Sequence, residues 1–227
     1  FQEAPRDRIE RVYVSESFFA AHRQEIDLEG IDWEMMQDSV FKAASDTQTP
    51  QGVLCIVRRQ NWELEEFLRK ETPLLLLLEN LQDPGNLGTI LRTEGAGAAG
   101  VILSRGSVDL YNPKTIRSTM GSVYRVPTLY AEDLGQVVES LRSRGIRSFA
   151  AHLKGKKYYD QEDYTGGAAI LIGNEGAGLT EELSSKADAL IRIPMEGKLE
   201  SLNAGVAASL LMYEVYRQKR DKFLYNL

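Results

Sequence analysis

The chain contains 227 residues, of which 43% are hydrophobic and 26% charged, and this mixture excludes a disordered or fibrous protein. The longest leucine run, Leu74 to Leu78, is far shorter than the roughly 20 residues of a membrane-spanning helix, so no membrane association is predicted. A formal net charge of −6 argues against a general nucleic-acid binder but allows local basic patches. The single cysteine, Cys55, excludes an internal disulfide and predicts a reducing, cytoplasmic location. The chain opens on Phe1 without a signal or transit peptide, and it is predicted to begin inside a longer protein.

The segment before Pro73 is predicted to form a domain of its own. Short apolar runs at 11–14 and 51–57 predict strands, and an amphipathic pattern over 61–70 predicts a helix. The dipeptide Thr72-Pro73 ends that helix and marks a hinge. The predicted domains are therefore residues 1–72 and 73–227.

Strands and helices alternate from Pro73 to the C-terminus. The run Leu74 to Leu78 has no polar alternation, as a strand that is covered on both faces requires. Further strands are predicted at 101–103, 148–151, 168–172 and 190–193, and helices at 86–94, 114–120, 134–141, 181–187 and 202–218. This order predicts an α/β fold with a mostly parallel sheet and helices on both of its faces.

A literal G-x-G-x-x-G motif is formed by Gly95, Gly97 and Gly100, but it stands in the wrong place for a dinucleotide site. Such a fingerprint follows a strand and opens a helix, whereas these glycines end a helix and precede a strand. We therefore interpret them as a helix C-terminus and a tight turn. His22 and His152 are isolated, and no metal-ligand cluster appears in the sequence, so no metal is predicted.

Three segments rich in glycine and polar residues lie at the predicted ends of strands, where open α/β sheets bind ligands. In the first, Asn86 caps a helix and Arg92 follows almost two helical turns later. The second, 172–179, has three glycines that allow close backbone approach. The third, 193–206, leads from a strand into a helix that starts with small residues. Taken singly, each is also explained by an ordinary capped helix, turn or helix contact.

In this order, the three segments resemble the SpoU, or TrmH-like, branch of the SPOUT superfamily of RNA ribose methyltransferases. The matching residues are Asn86-x-Gly88-x-x-x-Arg92, Gly173-x-Glu175-x-x-Gly178-Leu179 and Ile193-Pro194-Met195-x-Gly197-x-x-x-Ser201-Leu202-Asn203. The resemblance covers about 74–218. The stretch 44–52 makes the first domain similar to the ribosomal-protein-like substrate-binding domain that is often fused in front. Glu94 and Ala204 depart from the family pattern, which usually has a small residue and a valine there.

The resemblance implies a parallel α/β domain whose C-terminal part threads a trefoil knot, an arrangement that periodicity alone never suggests. It implies methyl transfer from S-adenosylmethionine to a ribose 2′-hydroxyl in RNA, without a metal. The implied cofactor-binding residues are Gly173, Gly178, Ile193, Met195 and Leu202, and the implied catalytic residues are Arg92, Glu175, Ser201 and Asn203. Because a guanidinium keeps its proton, it is a poor general base. We therefore expect Arg92 to orient the ribose or its phosphate and to stabilise developing negative charge.

Basic residues mark where RNA is expected to pass. The candidates for RNA contacts in the second domain are Asn86, Lys114 and Arg117. In a further loop, Lys154, Lys156 and Lys157 precede Tyr158, Tyr159 and Tyr164. That loop either stacks on unpaired bases or is simply solvated. In the first domain, the candidates for a basic patch are Arg6, Arg8, Arg11 and Arg23.

The predicted function is thus S-adenosylmethionine-dependent methylation of a ribose 2′-hydroxyl in RNA. Ribosomal RNA is favoured over transfer RNA, because the family's minimal tRNA enzymes lack a front domain. The alternatives are a tRNA 2′-O-methyltransferase and a catalytically silent RNA-binding relative. The resemblance also implies a homodimer in which the site is completed across the interface, with the last helix serving either the core or that interface.

Overall fold

A three-stranded sheet forms the centre of the first structural unit, Phe1–Asn61. Its strands are β1 (Ile9–Ser15), β2 (Trp33–Met36) and β3 (Val53–Val57), and its helices are α1 (Glu16–His22) and α2 (Asp38–Ala44). The strand β1 lies in the middle, parallel to β2 and antiparallel to β3. Val12 and Val14 on β1 are fully buried, so this unit has a small core of its own.

The computed structural model describes residues 1–45, 47–196 and 201–225, and it moves the domain boundary from 72/73 to the step between Asn61 and Trp62. The helix α3 (Leu64–Phe67) therefore belongs to the second unit. Its Phe67 is 1% exposed and lies in the core of that unit. A Cβ at Gly100 would come within 2.3 Å of the Phe67 ring. Because Phe67 packs in the core of the second unit, that unit begins before the turn at Thr72-Pro73, which is a loop inside it.

The second unit, Trp62–Leu227, is built on a seven-stranded sheet in the order β6-β5-β4-β9-β7-β10-β8. Its strands are β4 (Leu74–Leu78), β5 (Gly100–Ser104), β6 (Thr128–Ala131), β7 (Arg147–Ala151), β8 (Lys157–Tyr158), β9 (Ala168–Ile172) and β10 (Ala189–Arg192). Its further helices are α4 (Pro84–Arg92), α5 (Pro113–Thr119), α6 (Leu134–Ser143), α7 (Glu181–Lys186) and α8 (Ala204–Tyr225). Every strand pairing described in this sheet is parallel. The α/β prediction is confirmed, although the strands β6 and β8 were not anticipated.

The leucine strand β4 is covered on both faces, as its sequence predicts. All five leucines are between 0 and 2% exposed. Leu74, Leu76 and Leu78 pack in the core that includes residues of α4 and α8. Leu75 and Leu77 pack in the core that includes residues of α3, α6 and α7. Because successive side chains of a strand point to opposite faces, one uninterrupted apolar run supplies both layers.

The topology gathers the three predicted segments at one edge of the sheet. The chain goes from β4 to β5 and β6, and then returns to β7 on the other side of β9. This reversal creates a switch point between β4 and β9, where α/β folds bind ligands beyond the carboxyl ends of the strands. The trefoil knot stays a prediction, because residues 197–200, between β10 and α8, lie outside the described part of the chain.

Candidate active site

A cavity of about 340 Å³ opens at the carboxyl edge of the sheet. Its walls come from the loops after β7, β9 and β10 and from the start of α8. All five positions expected to bind the cofactor line it, namely Gly173, Gly178, Ile193, Met195 and Leu202. Glu175 and Ser201 also line it. The structure therefore brings two of the three predicted segments together around one space.

The loop from Gly173 to Gly178 folds back on itself, and this explains two of its glycines. The backbones of Asn174 and Gly178 exchange hydrogen bonds of 3.1 and 2.9 Å, and the Asn174 carboxamide oxygen accepts from two amides inside the turn. A Cβ at Gly173 would lie 2.1 Å from the carbonyl carbon of Gly178. Gly178 itself has a φ of +71°, which side chains rarely adopt. The glycines thus make a tight turn that forms one wall of the cavity.

Glu175, at the exposed tip of this turn, holds the loop that follows β4. Its carboxylate accepts hydrogen bonds from the Asn86 side chain at 2.9 Å, from the Asp83 amide at 2.9 Å and from the Gln82 amide at 3.1 Å. Partial desolvation would raise the pKa of Glu175, but these hydrogen bonds outweigh it and hold that pKa below its usual value. An ionised Glu175 therefore connects the second segment with the first.

Asn86 connects the first segment with the third. The Asn203 side chain donates to the Asn86 carboxamide oxygen at 2.7 Å, and the Asn203 oxygen accepts from the amides of Gly205 and Val206 at the start of α8. Asn86 is only 6% exposed and is engaged at both ends of its side chain. This buried side chain joins Glu175 to Asn203, and the expectation that Asn86 contacts RNA stays a prediction.

Small residues let α4 lie close to both of its neighbouring helices. A Cβ at Gly88 would meet the Ser118 hydroxyl of α5 at 2.2 Å, and a Cβ at Gly205 of α8 would meet the Thr89 Cβ at 3.1 Å. One turn further along, the hydroxyls of Thr93 and Ser209 are 2.7 Å apart. These contacts fix α4, and with it the position of Arg92 at its end.

Arg92 is exposed and makes no hydrogen bond or ion pair with any residue in the described part of the chain. It lies about 9 Å along the helix from Asn86, at a rise of about 1.5 Å per residue. The unexpected carboxylate of Glu94 is bound by Arg125 at 2.8 Å. Glu94 therefore leaves Arg92 without an acidic partner, and the guanidinium is available to a substrate.

Lys114 and Arg117 are both exposed on α5, while Thr115 and Thr119 are buried on its other side. Neither cation has a partner among the residues that the structure describes. Because α5 packs on α4, these two side chains and Arg92 belong to one pair of packed helices. The predicted RNA-contact role of Lys114 and Arg117 is compatible with this placement and stays a prediction.

The remaining candidates for RNA contacts are a tyrosine of the second unit and the arginines of the first unit. Tyr164 is 1% exposed and donates its hydroxyl hydrogen to the Tyr159 carbonyl, so the expectation that it stacks on bases is wrong. In the first unit, Arg6 is bound to Asp27 and Arg11 to Asp32. The predicted basic patch there is reduced to Arg8 and Arg23. The motif residue Gly197 and Asp46 of the 44–52 stretch lie outside the described residues.

Three residues that line the cavity were missed by the sequence argument. His152 and Leu153 follow β7, and Arg192 ends β10. The available signal was their position at the carboxyl ends of predicted parallel strands. They lie next to the second and third segments because of the order of the strands in the sheet. The sequence pattern of a single strand does not specify which strands will be its neighbours.

No group of histidine, cysteine, aspartate and glutamate in the described ranges is arranged to hold a metal ion. Over the same ranges, no helix is both long and apolar enough to cross a membrane. Burial raises the pKa of the partly buried Cys55 thiol, which makes its thiolate scarce.

The chain is similar to known proteins in both sequence and structure. A sequence profile of the SpoU rRNA Methylase family matches residues 73–213. The 23S rRNA (guanosine(2553)-2'-O)-methyltransferase RlmP of Bacillus subtilis is 36% identical over 191 residues, which are 83% of this chain and 75% of that protein. The SpoU methyltransferase AviRb from Streptomyces viridochromogenes, in complex with the cofactor AdoMet, superposes with a TM-score of 0.82 at 26% identity, over 94% of this chain and 84% of that one.

An AdoMet-bound rRNA methyltransferase from Sinorhizobium meliloti superposes with a TM-score of 0.80 at 31% identity, over 92% of this chain and 80% of that one. The profile match spans all three segments that meet at the edge of the sheet. The chain belongs to the SpoU rRNA methylase family.

Proposed function

We propose that this protein transfers a methyl group from S-adenosylmethionine to a ribose 2′-hydroxyl in RNA, with ribosomal RNA as the favoured substrate. The observation that carries the proposal is the cavity at the edge of the sheet, whose lining includes every position expected to bind the cofactor. The activity of relatives such as the Bacillus subtilis rRNA methyltransferase supports the reaction type.

The cavity suits a nucleoside-containing cofactor. Its volume of about 340 Å³ falls within the roughly 300–1,000 Å³ of small-molecule sites. Ile193, Met195 and Leu202 supply apolar walls, while the turn that contains Gly173 and Gly178 presents backbone with no side chain in the way. These residues would hold S-adenosylmethionine, which supplies a methyl group on a sulfonium when bound.

The chain's own residues then divide into those that touch substrate and those that position others. Arg92 and Ser201 are exposed and have no partner in the described part of the chain, so we assign them to the ribose or its phosphate. Arg92 would stabilise negative charge as the 2′-oxygen attacks. Glu175 accepts a hydrogen bond from the Asn86 side chain, and Asn203 donates one to it. The Asn203 oxygen accepts from the Gly205 amide, so both side chains are engaged within the chain. We therefore assign positioning roles to Glu175 and Asn203.

The order of events follows from this division. The hydrogen bonds of Glu175, Asn86 and Asn203 hold the loop after β4, the turn after β9 and the start of α8 in place. The cavity is therefore formed, and Arg92 is positioned, before RNA arrives. Holding the 2′-hydroxyl in line with the methyl group contributes much of the rate, since well-oriented reactants gain up to about 7–11 kcal/mol. Because the Arg92 guanidinium keeps its own proton and is a poor general base, we assign the proton of the 2′-hydroxyl to an RNA phosphate or water.

A homodimer is part of the proposal. On α8, Val206 is 51% exposed and Tyr213 is 53% exposed, whereas Leu211 and Val215 of the same helix are buried in the core. A second copy of this chain, packed on the exposed apolar residues of α8, would cover them. A cytoplasmic location also belongs to the proposal, because a chain with one cysteine cannot form the disulfides typical of oxidising compartments.

Two measurements test the proposed function. Calorimetry should show that S-adenosylmethionine binds and that a nicotinamide dinucleotide does not. Incubation with unmodified ribosomal RNA and with transfer RNA, followed by mapping of 2′-O-methylated nucleotides, identifies the substrate. Cofactor binding without methylation of either RNA would instead support the catalytically silent alternative.

A further inference from the structure

The basic residues of the second unit fall into two groups, those with an acidic partner and those without one. Most of its arginines form ion pairs, among them Arg105–Glu132, Arg125–Glu94, Arg142–Asp188, Arg144–Glu65, Arg147–Glu162 and Arg217–Glu214. Lys157 is also paired, with Glu162 at 3.0 Å. Against this background, a cluster of cations without carboxylate partners indicates a surface that is kept free for an anion.

Such a cluster lies at the rim of the cavity. Lys154 and Lys156 are exposed in the loop between β7 and β8, and Arg192 is exposed at the end of β10. None of the three is bound to a carboxylate anywhere in the described ranges. Arg192 is part of the cavity lining. His152 and Leu153, in the loop that carries the two lysines, also line the cavity. We call these three cations the rim cluster.

Arg192 is held in place before any ligand arrives. The strands β8 and β10 pair in a register that sets Arg192 beside Tyr158. The guanidinium carbon lies 4.6 Å from the centre of the Tyr158 ring, and one guanidinium nitrogen donates to the Tyr158 hydroxyl at 3.2 Å. A stacked guanidinium keeps its remaining donors in a planar fork that suits a phosphate.

The loop that carries the two lysines is also fixed. Gly155 is buried between them, and a Cβ there would lie 2.6 Å from the backbone of Ile191 on β10. The His152 ring nitrogen Nδ1 accepts from the Lys154 amide at 3.0 Å, and the His152 carbonyl accepts from the Gly155 amide at 2.9 Å. The loop is thus pressed against the strand that ends in Arg192.

We propose that the rim cluster of Lys154, Lys156 and Arg192 binds backbone phosphates of the RNA strand beside the nucleotide that enters the cavity. The inference rests on the proposed function, because it takes RNA to be the substrate. Three cations spread over a loop and a strand fit successive phosphates of a chain, whereas the cofactor offers a single carboxylate. Three further exposed cations without a carboxylate partner in the described part of the chain, Arg92, Lys114 and Arg117, lie on α4 and α5. We therefore expect each chain to contact RNA at two places, the rim cluster and the cations of α4 and α5.

The test uses the whole chain and a short, fluorescein-labelled single-stranded RNA. The rim variant combines Lys154→Gln, Lys156→Gln and Arg192→Gln. The control variant combines Lys157→Gln, Arg105→Gln and Arg144→Gln, which removes the same charge from cations that are already paired. Fluorescence anisotropy at several salt concentrations gives the RNA affinity and its salt dependence, calorimetry gives the S-adenosylmethionine affinity, and thermal unfolding checks that both variants are folded.

We expect the rim variant to bind the RNA about tenfold more weakly than wild type. The negative slope of log affinity against log salt should become shallower by about 2, since each single-strand phosphate contact contributes about −0.7. The control should stay close to wild type, and both variants should keep the cofactor affinity. Equal RNA affinities in the rim and control variants would overturn the inference. So would weaker cofactor binding with unchanged RNA binding, which would assign Arg192 to the cofactor's carboxylate. RNA binding is measured without turnover, so failure of methylation alone would count against the proposed function and not against the rim cluster.

Discussion

At the scale of single residues, the site contains side chains that are committed and side chains that are free. Asn86 and Glu175 use their polar atoms to join loops, and Asn203 closes the same chain of hydrogen bonds. Arg92 has no partner in the described part of the chain, although it belongs to the same motif as Asn86. Loss of a committed residue should therefore alter structure and cofactor affinity, whereas loss of Arg92 should alter substrate contact and methyl transfer and leave the fold and the cofactor affinity unchanged.

The first prediction concerns Arg92. Arg92→Ala should lower methyl transfer at saturating substrates by a factor of ~100 or more, the effect of losing one electrostatic stabiliser, and should leave cofactor affinity and stability near wild type. Arg92→Lys should restore only part of the rate, because lysine lacks the planar fork. Single-turnover methylation and calorimetry measure both effects. Arg69→Ala, which removes an exposed arginine of the same unit, is the control, and full activity of Arg92→Ala would remove Arg92 from the mechanism.

The second prediction concerns the charge on Glu175. Because its hydrogen bonds lower its pKa in the folded protein, the ionised carboxyl adds stability above the unfolded pKa of about 4.3, and that stability is lost as the pH falls through the folded pKa. The difference in unfolding free energy between wild type and Glu175→Gln should be largest near neutral pH and shrink in acid. Urea unfolding over a pH series measures it. Glu71→Gln, an exposed carboxyl without a described partner, should show no such trend, and a difference that is constant with pH would refute the assignment.

At the scale of elements, the fold depends on close approaches that only glycine permits. The helix α4 touches α5 at Gly88, and the turn after β9 closes on itself at Gly173. In both places a Cβ would collide with atoms that cannot easily move away, because they are backbone or belong to a packed helix. The motif glycines therefore have packing reasons that are separate from any contact with the cofactor.

The third prediction tests the contact between α4 and α5. Gly88→Ala should destabilise the protein by about 1–3 kcal/mol, the usual cost of overpacking, since its Cβ would fall 2.2 Å from the Ser118 hydroxyl. The matched control is Gly95→Ala, whose Cβ would meet only the Tyr213 hydroxyl at an ordinary 3.6 Å. Chemical denaturation measures both variants, and equal stabilities would show that α4 and α5 have room to move apart.

The fourth prediction compares two glycines of the turn after β9. Gly173→Ala should abolish cofactor binding or prevent folding, because its Cβ would lie 2.1 Å from backbone atoms. Gly178→Ala should cost only about 1–2 kcal/mol for its left-handed backbone, because no atom in the described part of the chain, apart from its two sequence neighbours, lies within 4 Å of its Cβ. Gly178→Val should also block S-adenosylmethionine, because the branched side chain would enter the cavity. Calorimetry on the folded variants checks this, and unchanged affinity in Gly178→Val would contradict the cofactor assignment.

At the scale of the whole molecule, the two units differ in charge as well as in fold. Residues 1–61 contain seven arginines and lysines and eleven aspartates and glutamates, and Arg6, Arg11 and Arg58 are in ion pairs. A unit of this charge attracts phosphates weakly. If it recognises RNA, we expect it to read shape or unpaired bases, while the phosphate contacts come from the second unit.

The fifth prediction concerns truncation. A fragment that starts at Trp62 should fold and bind S-adenosylmethionine, but it should modify ribosomal RNA poorly if residues 1–61 are the specificity element. A fragment that starts at Pro73 should be less stable, because it lacks Phe67, and the removal of such a buried ring costs about 3–5 kcal/mol. Thermal unfolding, calorimetry and methylation assays measure these outcomes. Methylation of the same nucleotide at the same rate by the Trp62 fragment would exclude the first unit from substrate selection.

The sequence by itself determined the parts of this protein that depend on local pattern. The uninterrupted leucines of β4 required a strand covered on both faces, and the alternation of strands and helices required a parallel sheet. Because all strands of a parallel sheet end at one edge, the motif segments at their ends were confined to that edge. The family resemblance of these segments supplied the five expected cofactor positions, all of which line the cavity, and the order of helix and strand around Gly95 to Gly100 excluded a dinucleotide site there.

Only the tertiary structure decided which of these segments touch and through which atoms. The hydrogen bond between Asn86 and Glu175 spans 89 residues of sequence, and the bond between Asn86 and Asn203 spans 117. Such contacts depend on the order of the strands in the sheet, and a single sequence carries no local pattern for that order. For the same reason, the burial of Phe67 moved the domain boundary to Asn61, and the pairing of β8 with β10 placed Arg192 at the rim of the cavity.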